Sequence, residues 1–148
     1  MGEVSVDARE AMAREGIAAL QFLVGTWDGD GQSFGAPVRG RLVVAQELGD
    51  TFLVARETLW DAQGAVDHED LVYYRYDPYA RILKITQLAA PGWSQEIVGE
   101  IEPWGLRWYA GPEAPAVHLR RDGERGLVVE VWEPEAKAPA TRLTYRRA

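Results

Sequence analysis

From Gly25 onward apolar and polar residues alternate with a period of two, in runs of seven to twelve residues broken by turn chemistry. That pattern predicts half-buried β-strands over 25–34, 38–47, 51–60, 66–77, 80–89, 93–102, 104–110, 115–122, 126–133 and 140–147. The separators carry their own physics. In "YDPY" (Tyr76–Tyr79) the Asp77 side chain can accept from the backbone ahead while Pro78 fixes φ, and Asp122–Gly123 favours a tight hairpin. Before Gly25 the spacing changes: Ala11, Met12, Ile17, Leu20 and Phe22 to Val24, mixed with alternating charges, predict a helix over 7–24. Asp7 is its expected N-cap, and Gly16, costing about 1 kcal/mol relative to alanine, is expected to divide it.

Ten short strands in series with no helices between them mean an all-β sandwich or barrel. Consecutive hairpins close naturally into an up-and-down antiparallel barrel, and closure removes both sheet edges. The expected architecture is one domain over 1–148, with a helical cap over 1–24 and a barrel over 25–148. In the first strand Gly25, Trp27, Gly29 and Gly31 share a face, expected to be the inward one. Repeated glycine marks sharp bending or close approach. Trp27 is thus expected to cover the barrel floor, packed on the helix or under a guanidinium from the last strand, Arg146 or Arg147.

Composition narrows the chemistry. The chain has 148 residues, 47% of them hydrophobic, enough to bury a core without staples. It has no cysteine, which excludes disulfides, thiolate metal sites and cysteine nucleophiles. A net charge of -7 argues against a nucleic-acid partner. No apolar run has the length of a membrane span, and the start lacks the pattern of a secretory signal, so no membrane partner and a cytoplasmic location are expected. A homodimer is compatible with the aromatics left on exposed strand faces. Nucleophile-elbow, P-loop, dinucleotide and metal-ligand spacings are all missing, so no catalytic residue, metal or cofactor is assigned.

The run G-T-W-D-G-D-G (Gly25–Gly31) resembles the G-x-W-x-G-x-G signature of nitrobindin-like barrels, and its G-x-W core resembles that of lipocalins and their calycin relatives. "LQFLVGTW" with the later "YDPYARIL" is similar to an uncharacterised bacterial family of lipocalin-like barrels. The nitrobindin resemblance implies a ten-stranded barrel with haem in one open end, held by a histidine near the C-terminus. Here the corresponding segment, "PATRLTYRRA", has no histidine.

Two histidines exist. His118 alternates with Val117 and Leu119 and is expected on the outer surface, whereas His68 shares a face with Asp70, Val72, Tyr74 and Tyr76 that can line a cavity. Gln95, among Trp93, Ile97 and Gly99, needs a partner in the protein or a ligand, and Trp108 lies on a face with Trp104 and Leu106. The third strand is ambiguous. One face carries Phe52, Val54, Arg56, Thr58 and Trp60, the other Leu53, Ala55, Glu57 and Leu59. If the first points inward, Arg56 is a buried cation that requires a carboxylate or an anionic ligand. The sequence-level reading is therefore a barrel binding a small, largely apolar molecule through Arg56, Thr58, His68, Tyr74, Gln95 and Trp108. The alternatives are an acid–base enzyme built on His68 and Asp70, and a nitrobindin-like haem protein, disfavoured by the missing C-terminal histidine.

Overall fold

A computed structural model describes residues 5–148. The first four residues of the cap expected over 1–24 lie outside the described residues. Helix α1 (Val6–Ala18) and a short 3₁₀ turn (Gln21–Leu23) lead into ten strands: β1 Gly25–Ser33, β2 Ala36–Glu47, β3 Phe52–Trp60, β4 Val66–Asp77, β5 Ile82–Ala89, β6 Trp93–Glu102, β7 Gly105–Tyr109, β8 Ala116–Asp122, β9 Gly126–Trp132 and β10 Thr141–Arg147. Each pairs antiparallel with its chain neighbour, and β1 also pairs with β10, from Trp27 opposite Arg147 to Ser33 opposite Thr141. The result is a closed up-and-down barrel with no free edge.

Small departures from the sequence reading have local causes. The first hairpin is tighter than expected, with pairing running to Ser33 opposite Ala36, because Phe34 and Gly35 both take positive φ (50° and 80°) and make a two-residue turn. β5 begins at Ile82 because the Asp77 carboxylate accepts from the Tyr79 and Ala80 amides at 2.9 and 3.1 Å and holds the preceding turn. The N-cap of α1 is Ser5, whose hydroxyl accepts from the Ala8 amide at 3.1 Å, rather than Asp7. Nor does Gly16 divide the helix. It lies against the Tyr76 ring, where a Cβ would overlap the ring carbons, so this glycine lets α1 dock on the end of β4.

That docking makes the floor. Ile17, Leu20 and Leu23 are buried with Trp27, which is 1% exposed and donates its indole N–H to the Leu23 carbonyl at 2.9 Å. The guanidinium over the Trp27 ring belongs to Arg147, with Cζ 4.2 Å from the centroid. Arg147 also donates to the carbonyls of Val24 and Phe22 at 2.7 and 3.1 Å, tying the last strand to the segment before the first. Arg146 does not take this role, because strand alternation turns it to the outside, where it pairs with Asp122 at 3.1 Å. On β1 the face with Trp27, Gly29 and Gly31 does point inward.

Candidate functional site

The interior above the floor is hollow. A cavity of about 530 Å³ extends towards the opposite end, where the β1–β2 and β7–β8 turns bring Phe34, Ala110, Ala114 and Pro115 to its mouth. Phe34 stands there 73% exposed. Most of the wall is aliphatic, from Leu42, Ala55, Leu59, Val72, Ile97, Leu119 and Val129, with Tyr74 and Trp108 meeting edge to face at a centroid separation of 6.1 Å. The Trp108 N–H donates to the Tyr74 hydroxyl at 3.2 Å.

The strand register decides which β3 face enters this space. Glu57 lies opposite Asp70, and Leu59 opposite His68, on a face with Leu53 and Ala55 that is largely buried. Arg56 and Thr58 therefore point outward, and neither lines the cavity. Arg56 borders a separate outer groove of about 420 Å³ with Glu69, Leu71, Leu88 and Trp93. The expected basic partner for an anionic ligand is thus absent from the interior wall. His68, Tyr74, Gln95 and Trp108 do line the cavity, together with Asp70 and Gln87. Trp104 leaves the Leu106–Trp108 face because Gly105, at φ +149°, turns the chain between them, and it packs outside against His118 at 5.0 Å. His118 faces outward as expected, yet it is half-buried between Trp104 and Trp132, and that burial, with Arg120 nearby, lowers its pKa.

One polar wall interrupts the apolar lining. Asp70, 7% exposed, accepts from Gln87 Nε2 at 2.7 Å and faces His68 Nε2 at 3.2 Å, while Gln95 Nε2 donates to Gln87 Oε1 at 2.8 Å. Across from Asp70, Glu57 accepts from the Tyr145 hydroxyl at 2.7 Å. That contact reaches from β10 to β3 over the inner faces of β1 and β2, and two glycines permit it. Gly29 and Gly40 are cross-strand partners, and a Cβ on Gly29 would collide with the Tyr145 ring and one on Gly40 with its hydroxyl.

The electrostatics follow from this placement. Burial first, and the Asp70 carboxylate second, push the Glu57 carboxyl up to about 7. The hydrogen bond with Asp70 raises the His68 pKa against the opposing effect of burial, and burial raises both Tyr74 and Tyr145, keeping the phenols protonated. Donor atoms of Glu57, His68 and Asp70 lie within 4.8 Å of one another, a three-donor set of the kind that can hold a divalent cation. The set is equally able to receive a hydrogen-bonding head group.

The closed ten-stranded barrel with its N-terminal helix is consistent with a calycin-like fold. No protein-family model matches the chain, and no curated protein matches it. No helix among the described residues is long and apolar enough to cross a membrane. Haem on a C-terminal ligand does not fit this interior. The inward side chains of β10 are Thr141, Leu143 and Tyr145, and the Tyr145 hydroxyl is committed to Glu57.

Proposed function

We propose that this protein binds a small, largely apolar molecule inside the barrel, its body against Tyr74, Trp108 and the aliphatic wall and its polar end against Glu57, His68, Asp70 and Gln95. The observation that carries the reading is the 530 Å³ largely apolar cavity with its charged groups gathered on β3 and β4, since ligand sites are commonly apolar spaces with a few placed polar groups. A barrel packed only for stability fills its lumen with side chains. Native mass spectrometry of freshly purified protein tests it. A bound species of small mass is expected, and Val117→Trp, which places an indole in the cavity, is expected to remove it. Absence of any such species, with unchanged melting temperature across lipid, flavonoid and tetrapyrrole panels, would overturn the reading.

A second reading, an enzyme working inside the cavity, is favoured by one observation: a carboxyl poised near neutral pH beside a His–Asp pair is equipped for general acid–base chemistry. It requires a substrate whose turnover falls with both Glu57→Gln and His68→Ala. The haem function implied by the nitrobindin resemblance leaves His68 as the one histidine lining the cavity, and no Soret shift is expected on adding stoichiometric haem.

A further inference from the structure

We infer that the guest is an organic cation: an amine on an apolar body, its ammonium seated beside Glu57 and Asp70. The inference rests on the binding reading above and adds the charge of the ligand. It follows from the balance of charged groups around the space. Glu57, Asp67, His68 and Asp70 line the cavity, and no lysine or arginine is among its lining residues. The two carboxylates of Glu57 and Asp70 are direct cross-strand partners on one face of the sheet, where like charges oppose each other. The one side chain of the lining that can take a positive charge, His68, is turned to Asp70. Glu57 receives a neutral hydroxyl from Tyr145.

A carboxylate in an apolar interior with a neutral donor is under-compensated, and a positive charge within hydrogen-bond reach corrects this more effectively than another dipole. An ammonium between Glu57 and Asp70 would donate to both. The rest of the cavity suits the body of such a molecule, because its wall is largely aliphatic with the Tyr74 and Trp108 rings among it. An anionic guest would meet Glu57 and Asp70 with no cation to receive it. A lone divalent ion is the competing occupant of the same donors. Yet it would have to displace any proton held between His68 and Asp70, and it would leave the apolar volume without a role.

The test uses the full chain near neutral pH and a matched series: 2-(2-naphthyl)ethylamine, 2-(2-naphthyl)ethanol and 3-(2-naphthyl)propanoate, each titrated by calorimetry, with zinc ion alone as a fourth probe. The amine is expected to bind roughly tenfold or more tightly than the alcohol, with the propanoate weakest. Glu57→Gln, which keeps an acceptor for Tyr145, is expected to remove most of the amine's advantage over the alcohol. Equal affinity for amine and alcohol would overturn the cationic guest while leaving the cavity as an apolar binding site. Failure of all three organic probes would overturn both. Stoichiometric zinc binding that excludes the amine would overturn it in favour of a metal centre. Should Glu57→Gln fail to fold, the order of affinities in the natural sequence decides the matter alone.

Discussion

At the floor, Trp27 has its N–H on the Leu23 carbonyl, a guanidinium over its ring and the helix beneath it. Partway up the wall, Glu57 has one hydroxyl donor, a like charge opposite and an open cavity beside it. Both groups are large, inward-facing and set by the same period of two, but the first has every polar atom matched and the second does not. Stability is concentrated where the interactions are complete. Functional potential lies where the lining leaves a charge short of partners.

The largest effect should come from breaking the floor. Trp27→Ala is expected to cost about 3–5 kcal/mol, read as a lower denaturant midpoint at similar slope. A cost below about 1 kcal/mol would show that the helix and barrel do not share a core. Gly16→Ala should follow at about 1–3 kcal/mol, although alanine is the better helix former, because the new methyl meets Tyr76. Combining it with Tyr76→Ala should cost less than the sum of the two, and strict additivity would remove the docking contact from the account.

The polar wall should respond to pH instead. Glu57 and His68 both have raised pKa values, so the folded chain holds protons that the unfolded chain has released. For Glu57 that stabilisation is present below about pH 4.5 and is lost as pH rises through about 7. Unfolding free energy should therefore fall across this window. Glu57→Gln should flatten the fall and leave the variant about 1–3 kcal/mol more stable than its parent at pH 8; parallel curves for the two proteins would contradict the buried carboxyl. Asp77 acts elsewhere. Turn amides hold its pKa low, so its contribution disappears only as pH drops below the ordinary carboxylate range.

The smallest effects separate the two neighbouring arginines. Arg147→Met is expected to cost about 1 kcal/mol, through loss of the ring contact and of donors to two carbonyls. Arg146→Met should fall within about 0.5 kcal/mol, since its partner Asp122 is an exposed surface carboxylate. Equal costs would blur the distinction between the floor and the outer surface beside it.

Strand number, order and the inward face of β1 were all legible, because alternation and turn residues are local signals read one strand at a time. The candidate site was legible only in part. His68, Tyr74, Gln95 and Trp108 sit on strands where one face is clearly the more apolar. On β3 each face carries one charge among comparable aliphatic and aromatic residues, so hydropathy gives no preference between Arg56 and Glu57. The deciding information is the pairing of Glu57 with Asp70 and Leu59 with His68, which places two ambiguous faces side by side. The Tyr145–Glu57 bond was beyond reach for a related reason. It depends on Gly29 and Gly40 being cross-strand neighbours, so that a ring from a third strand can pass over both.

The seam between β1 and β10 has a kinetic meaning. Hairpins can form as soon as two adjacent strands are available, whereas the pairing that seals the lumen joins segments from opposite ends of the described sequence and carries the full entropy of closing that loop. During synthesis the half-built sheet keeps an open edge and an unsealed aliphatic interior until its final strand emerges from the ribosome, and a guest present at that moment would meet a hydrophobic trough before it met a container.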